Sequence, residues 1–541
     1  MSKRHQKTGG AHFLQGAAVL SAGVLLVKLL GAIYKIPLTN MIGEVGMGYF
    51  NAAYQLYLPI YTLATAGFPV AVSRMVSEYT ARGDPMGARA VFRQARRFFL
   101  CSGLLGTTCM AAGAVAYARY TGSPGAVWSI WALSPTVLLC CLMAPHRGYR
   151  SGLRQMEPTA VSQVIEATVR LFVGLGAAYA VIRQARQWHD AMNALPAAAA
   201  GATLGVTAGA LCGWLWLAWY DRRHTAPHLR NAAGKVSVGQ IASVALPICA
   251  GALIVNVGTT LDAVMMQNRL GNLGEEVLRR LLGAETAEEL QPAEWVPFLY
   301  GSFTMAQNLA MLVPAFAQAL GTSALPAVAS AAAVKAWDKV RDHVEEVLFW
   351  TSSVAFPAGI GLAVLSGPVL QFLYHARPAG AALAARPLMV LGIASIGMTV
   401  SVPVNSMLQA LGREKTPLIL LVAGVAVKAA VNQRLIGDPY WNMTGGAMGT
   451  LLCYGLVTVL GLLRLKQCCP VKPHLWRCMW APAWSALLCG GTAWYLSRNC
   501  SGGWQGVFLP VAAGGAVYVL SMLLCCGKKI GKWLEKRRRI R

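Results

Sequence analysis

Long apolar runs separated by short charged clusters constrain the fold of this chain more than any other feature. Of its 541 residues, 56% are hydrophobic and only 13% are charged, whereas soluble domains carry about 25% charged residues. A helix needs about 20 apolar residues to cross a hydrocarbon core of about 30 Å. The sequence therefore predicts an all-α polytopic membrane protein.

The apolar runs divide the chain into roughly fourteen transmembrane helices. The predicted spans are 12–38, 47–72, 92–117, 127–145, 159–182, 194–219, 238–264, 298–322, 344–366, 384–410, 416–433, 443–464, 479–497 and 507–526. Lys and Arg concentrate in cytoplasmic loops. With the N-terminus in the cytoplasm, every loop on that side is basic, including 74–97 and 147–154. We therefore predict a multi-pass protein of the bacterial inner membrane with both termini in the cytoplasm.

Several other functional classes fit the composition poorly. The net charge of +26 would suit a nucleic-acid-binding protein, but the basic residues lie in separate loops and not on one domain. No P-loop, HExxH or GxSxG motif occurs, so we predict neither an enzyme nor a cofactor. The 14 cysteines contain no CxxC pair, and most lie in apolar runs where cysteine acts as a small hydrophobe. No metal site is predicted.

A weak internal repeat predicts the domain organisation. FPVAVS at 68–73 resembles LPAVAS at 325–330, six spans later, and GLR at 152–154 resembles GR at 412–413 with the same offset. Two parallel six-helix halves are a common transporter plan. The predicted domains are an N-terminal lobe at 1–233, a C-terminal lobe at 234–466, and two further helices with a basic tail at 467–541.

Polar and ionisable residues within or beside the spans are candidates to line a substrate cavity, because a charge in hydrocarbon costs about 2.5–3.5 kcal/mol on insertion scales. The candidates are Lys28, Lys35, Asn51, Gln55, Arg74, Glu166, Arg170, Asp262, Gln318, Lys428 and Asn432, with Pro59 and Pro314 as candidate hinges. Snorkelling is the alternative for Lys35, and a solvated pair with Glu78 is the alternative for Arg74. For the polar pairs, the alternative is a hydrogen bond between helices, worth about 0.6 kcal/mol.

The sign of the charges within the spans favours an anionic substrate. The cations are Lys28, Lys35, Arg170 and Lys428, and the clear acids are Glu166 and Asp262. Arginine suits bidentate phosphate contacts, and lysine acts as a point charge. A cation exporter would more naturally place surplus carboxylates in the same position.

Three segments resemble a known transporter family. They are KLLGAIYKIPLTNMIGEVGMGYFNAAYQLYLPIYTLATAGFPVAVSRMVSEY (28–79), RGYRSGLRQMEPTAVSQVIEATVR (147–170) and LQALGREKTPLILLVAGVAVKAAVN (408–432). They resemble the stage V sporulation protein B/YtgP branch of the polysaccharide-biosynthesis transporters, within the MOP superfamily that also holds MurJ-type flippases and MATE exporters. The resemblance covers nearly the whole chain.

The resemblance implies two six-helix lobes around a V-shaped cavity, two additional C-terminal helices and alternating access. It also implies a lipid-linked, diphosphate-bearing saccharide as cargo. Lys28, Lys35 and Arg74 match cavity cations of the first helices in MurJ-type flippases. The acidic sodium-ligand pattern of some MurJ proteins is not evident, since Asn432 is present but the nearest aspartate, Asp438, falls in a loop.

The favoured function is therefore a flippase for a polyprenyl-diphosphate-linked saccharide, most of all the peptidoglycan precursor lipid II. The expected partners are this anionic lipid-linked substrate, membrane lipids and cell-wall synthesis enzymes, with no nucleic acid. The alternatives are another lipid-linked glycan, a MATE-like exporter and a non-transporting scaffold for cell-wall enzymes. A membrane-embedded transferase would need metal-binding carboxylates, and the acidic loop 268–297 has the spacing of exposed helix surface instead.

Overall fold

A computed structural model describes residues 2–65, 68–153, 155–188, 194–224, 238–315, 317, 328–329, 331–413, 415–499 and 503–538. Within these ranges, the side chains of 2–22, 24–25, 28–29, 32, 63–65, 68, 70, 186–188, 238, 240–255 and 526–538 lie outside the description. The helices of the N-terminal half are α1 (Ser2–Thr65), α2 (Phe68–Ala81), α3 (Pro85–Tyr120), α4 (Ala126–Gly152), α5 (Glu157–Trp188), α6 (Ala194–His224) and α7 (Val238–Gly271). They are followed by α8 (Glu275–Leu282), α9 (Ala284–Glu289), α10 (Pro292–Ala310), α11 (Trp337–Val364), α12 (Ser366–Leu373), α13 (Pro378–Ala410), α14 (Lys415–Leu435), α15 (Asn442–Cys468), α16 (Leu475–Asn499) and α17 (Gln505–Arg538).

The described chain is helical throughout, which confirms the predicted all-α polytopic fold. Nine of the described helices are long and apolar enough to cross a membrane. They contain the predicted third to sixth, ninth to twelfth and fourteenth spans. The total of fourteen spans stays a prediction. The acidic loop 268–297 forms the short helices α8 and α9, as its spacing predicts.

The first predicted span, 12–38, lies in the first arm of α1, and the second, 47–72, includes the second arm and the start of α2. Gly43 lies between them with φ 70° and ψ −172°, a conformation that glycine adopts without the steric cost of a Cβ. Beyond this break the second arm packs closely on α10. A Cβ on Gly48 would lie 2.9 Å from the Cα of Pro297, so only glycine permits this approach.

The chain divides into two compact units. The first unit contains Met1–Gly271 and Leu282–Gly301, and the second contains Asn272–Leu281 and Ser302–Arg541. In the first unit α7 packs on α1 and α2, although it follows the predicted lobe boundary at residue 233. The predicted lobes rest on internal sequence similarity and stay a prediction.

Four glycines on α6 bring α5 into backbone contact. Gly201, Gly205, Gly209 and Gly213 recur at every fourth residue and hence lie on one helix face. A Cβ on Gly209 would lie 3.3 Å from the carbonyl carbon of Glu166. Small residues allow membrane helices to approach this closely. This contact fixes where α5 presents its charged side chains.

The second unit has a predominantly apolar centre. Its helix α13 packs on both α11 and α15, and α14 packs on α15. A cluster of fully buried aliphatic side chains fills the space between α11, α13 and α15. Its members include Val340, Val344, Leu348, Val404, Met407, Leu408 and Leu465.

Candidate anion-binding site

Two cationic side chains come together between α1 and α5 in the first unit. Lys35 lies on the first arm of α1 and Arg170 lies near the middle of α5. A Cβ on Gly31, one turn before Lys35, would lie 3.9 Å from Nη2 of Arg170, so the two cations belong to the same contact between α1 and α5. Both side chains are partly buried. The snorkelling alternative for Lys35 and its cavity role both stay predictions. Two like charges in a protein interior repel each other, so this arrangement favours an anion between them.

Two tyrosines surround Arg170. The guanidinium interacts with the hydroxyl of Tyr54, and its central carbon lies 6.0 Å from the ring centroid of Tyr34. The Tyr34 hydroxyl donates a hydrogen bond of 2.9 Å to the carbonyl oxygen of Ala202 on α6. This bond fixes the Tyr34 ring against Arg170. The tyrosines therefore orient the guanidinium without neutralising it.

The acidic member of the site is held by a different arginine. Arg147, on the last turns of α4, donates from Nη2 to Oε2 of Glu166 over 3.1 Å and from Nε to the Ser162 hydroxyl over 3.2 Å. The Arg147 and Glu166 side chains are 18% and 24% exposed, so the ion pair is largely shielded from water. Glu166 is thus engaged by α4 as well as lying one turn from Arg170 on its own helix.

Basic side chains predominate at the site, and one donor is unused. Arg147 and Arg170 both interact with the carboxylate of Glu166, and Lys35 interacts with Arg170. The buried Nε of Arg170 has no hydrogen-bond partner within the described part of the chain. A buried donor without a partner costs about 1–3 kcal/mol. A phosphate oxygen would satisfy this donor and offset the positive charge.

Gln55 and Asp262 belong to a second polar group around Tyr300. The Thr260 hydroxyl on α7 donates to the backbone carbonyl of Gln55 over 2.7 Å. Tyr300, on α10, is fully buried and interacts with both Gln55 and Asp262. These residues join α1, α7 and α10, on a face of α1 other than that of Tyr54.

Two further candidates of the first unit have contacts on their own helices. The Asn51 side chain donates to the carbonyl oxygen of Met47 on its own helix over 2.8 Å. Arg74 is 68% exposed and pairs with Glu78 at 3.1 Å, as its solvated-pair alternative describes. Exposed pairs of this kind contribute about 0.2–1 kcal/mol.

Lys428 and Asn432 lie together on α14 in the second unit. Asn432 is fully buried against α15. A Cβ on Gly449 of α15 would lie 3.2 Å from the Cγ of Lys428, so the glycine provides the space for both side chains. The two residues lie at the contact between α14 and α15.

Two predicted site residues fall outside what the structure describes. These are Gln318 and the side chain of Lys28. Pro59 lies inside α1, and Pro314 is partly buried beyond α10. The cavity and hinge roles of all the candidate residues stay predictions. Among the described residues, no group of three His, Cys, Asp or Glu side chains could hold a metal ion.

Arg147 and the two tyrosines are not among the residues predicted from the sequence. The predicted fourth span ends at residue 145 and leaves Arg147 in a loop, whereas α4 continues to Gly152. Membrane topology already explains a basic residue near the end of a span. Its position in the sequence therefore does not indicate a binding role. Tyr34 and Tyr54 are 20 residues apart and belong to no recognisable sequence motif. Only the packing of α1 against α5 brings them to Arg170. The recurrence of glycine at every fourth residue of α6, in contrast, can be recognised in the sequence.

Comparisons with known proteins agree with this fold. Residues 13–332 match the family profile described as polysaccharide biosynthesis protein, and residues 301–513 match that of lipid II flippase MurJ. Lipid II flippase MurJ of Bacillus subtilis is 25% identical over 473 residues, covering 84% of this chain and 82% of the relative. Stage V sporulation protein B of the same organism is 23% identical over 535 residues, covering 95% of both chains.

Solved structures give the same result at the level of the fold. The inward closed conformation of lipid II flippase MurJ matches with a TM-score of 0.72 and 13% identity, covering 95% of this chain and 100% of that one. An inward-facing multidrug resistance MATE transporter of the MOP superfamily matches with a TM-score of 0.60 and 14% identity, covering 82% and 98%.

The matches confirm the family resemblance predicted from three segments of the sequence. The relatives with a stated activity are flippases and transporters and not enzymes, as predicted. The apolar helices and the relatives together identify a multi-pass bacterial membrane protein. Because the first family profile covers more than half of the residues, this chain belongs to the polysaccharide biosynthesis protein family.

Proposed function

We propose that the chain is a flippase that moves a polyprenyl-diphosphate-linked saccharide, specifically lipid II, from the inner to the outer leaflet by alternating access. The similarity to lipid II flippases supports a lipid-linked precursor as cargo. The observation that carries the proposal is the pairing of Lys35 with Arg170, whose Nε has no partner among the described residues. This site suits the diphosphate, the one strongly anionic group common to such substrates.

The binding step follows from the chemistry of the two cations. Arg170 would donate hydrogen bonds to phosphate oxygens from its planar guanidinium, and Lys35 would add a compact positive charge. Tyr34 and Tyr54 hold Arg170 in place before the substrate arrives, so little side-chain entropy is lost on binding. The polyprenyl tail would stay in lipid.

The transport step requires that the bound diphosphate become accessible from the other leaflet. The positive charges of the site would pair with the negative charges of the diphosphate. This pairing reduces the free-energy cost of holding an ionised group away from water. Pro59 and Pro314 are the proposed hinges, since proline removes a backbone donor and bends a helix. The driving force would be the membrane potential, worth about 2.3 kcal/mol per charge per 100 mV.

Outer-leaflet accessibility of lipid II tests this function in cells. Cells depleted of their own flippase would express the wild-type chain, Arg170→Gln or Glu276→Gln at equal membrane abundance. Glu276→Gln is the matched control, since it removes an exposed ion pair with Arg280. We expect restored accessibility with wild type and control, and loss with Arg170→Gln. No restoration by a well-expressed wild type would contradict lipid II as cargo and favour another glycan or a scaffold.

A further inference from the structure

The last two turns of α4 contact a different helix on each of three faces. His146 and Arg150, four residues apart, face Asp221 on α6. Arg147 faces Glu166 on α5. Gly148 and Gly152, again four residues apart, face α2. Since successive helical residues are rotated by about 100°, these three sets cover the whole circumference. The rotation of this segment therefore decides where Arg147 points.

Asp221 is the polar centre of the α6 face. Its Oδ1 accepts a hydrogen bond from Nε of Arg150 over 2.6 Å, and its Oδ2 lies 2.9 Å from Nδ1 of His146. A second nitrogen of Arg150, Nη2, also binds Oδ1. Arg89 of α3 approaches Oδ2 to 3.6 Å. The Asp221 side chain is only 5% exposed, so the contacts lie away from water.

The face of α4 that meets α2 packs closely through glycine. A Cβ on Gly148 would lie 3.0 Å from the Cβ of Val72. The Ser77 hydroxyl donates to the Gly152 carbonyl oxygen over 2.8 Å on this face. The ionic contacts that orient the segment lie on the α6 face, at Asp221, and on the α5 face, at Glu166.

The same segment controls the free charge of the anion site. Arg147 engages the Glu166 carboxylate at 3.1 Å. Glu166 also interacts with Arg170. If Arg147 turned away, Glu166 would lose its partner and its charge would be left to neutralise Arg170 instead. The site would then bind anions more weakly, although Lys35 and Arg170 were both still present.

We propose that Asp221 is a positioning residue for substrate binding: through His146 and Arg150 it holds α4 so that Arg147 keeps Glu166 away from Arg170. Without the carboxylate, Arg89 and Arg150 would lose the counter-charge that they share. The segment would relieve the resulting repulsion by rotating. The affinity argument rests on the proposed function, whereas the geometric argument does not.

A binding measurement with second-site rescue tests the positioning role. Purified full-length protein would be titrated with lipid II and read by native mass spectrometry. We expect Asp221→Asn to bind about tenfold more weakly, a change of about 1.4 kcal/mol. Adding Glu166→Gln should restore the affinity to within about threefold of wild type, because the released carboxylate is then absent. Glu276→Gln, which removes an exposed acid, should bind as wild type does.

Two outcomes would overturn the proposal. Asp221→Asn could bind lipid II as tightly as wild type, or its loss could persist when Glu166→Gln is added. General unfolding would produce the second result, since removing another carboxylate would not repair it. If Asp221→Asn does not accumulate, Asp221→Asn combined with Arg150→Gln removes the charge and its counter-charge together and answers the same question.

A cryo-EM structure of Asp221→Asn without substrate separates this proposal from the proposed function. We expect Arg147 to have left Glu166, with which it makes a 3.1 Å contact in the wild type. An unchanged contact would contradict the positioning role. If wild type does not bind lipid II at all, the substrate assignment fails, and the position of Arg147 still decides whether Asp221 acts through α4.

Discussion

The two compact units differ in where they place charge. In the first unit, buried or largely buried ion pairs join Arg147 to Glu166 and Arg150 to Asp221 across different helices. In the described part of the second unit, the ion pairs of Arg341 and His474 each have at least one member more than half exposed. Its centre is an aliphatic cluster.

We interpret this difference as a division of roles, with substrate recognition in the first unit and structural support in the second. Buried ionic groups contribute little net stability compared with apolar packing, so a unit that retains several of them indicates a function for them. We infer that the first unit supplies the main contacts to the anionic group of the substrate.

Neutralising one cation in each unit should have unequal effects. We expect Arg170→Gln to lower lipid II transport in proteoliposomes about 100-fold, as expected for removal of a buried partner of a charged group. Lys428→Gln, the matched change in the second unit, should reduce transport far less. Equal losses would contradict the assignment of recognition to the first unit.

The glycine contact between α5 and α6 should be the next most sensitive. A Cβ on Gly205 would overlap the backbone of Gly174, so Gly205→Ala should destabilise the fold by about 1–3 kcal/mol. Gly176→Ala on α5 is the matched control, because nothing lies within 4 Å of its added methyl group. Thermal unfolding in detergent measures both. A neutral Gly205→Ala would show that the contact is loose.

Glu166→Gln sharpens the comparison because it alters charge without removing a cation. The loss of the Arg147 ion pair should lower stability by about 1 kcal/mol. The affinity for lipid II should stay equal or rise, since Arg170 loses the negative charge of Glu166. Equilibrium binding and thermal unfolding on the same preparations check both parts. Weaker binding would mean that Glu166 itself contacts the substrate.

The exposed pair of Arg74 and Glu78 should matter least. Their side chains are 68% and 49% exposed. Glu78→Gln should therefore change the free energy of unfolding by less than about 1 kcal/mol and leave transport unaltered. A large transport defect in this variant would show that the pair interacts with substrate or with another part of the transport cycle.

The fold class could be predicted from the sequence because the lengths of the apolar runs and the charges of the loops between them do not depend on which helices pack together. The i,i+4 spacing on α5 also indicated that Glu166 and Arg170 share a face. Which partner each residue selects depends on packing between helices far apart in sequence. Arg147 illustrates this, since it lies 19 positions before Glu166 and reaches it only because α4 extends beyond its apolar run.

The predicted cavity residues Asn51 and Gln55 show the same limit. Their four-residue spacing places them on one face of α1, but their contacts differ. Asn51 donates to Met47 on its own helix, and Gln55 contacts α7 and α10. Tyr54, which lies between them in the sequence, is the residue that interacts with Arg170. Side-chain periodicity identifies faces, and only packing identifies partners.

Direct binding of the diphosphate tests the central claim, which is that Lys35 and Arg170 form the anion site. Undecaprenyl diphosphate and undecaprenyl monophosphate would be titrated into wild type, Lys35→Gln and Arg170→Gln, with Lys428→Gln as the control. We predict that wild type and control prefer the diphosphate by about tenfold and that both first-unit variants lose this preference. Equal preference for the diphosphate in all four proteins would contradict the account.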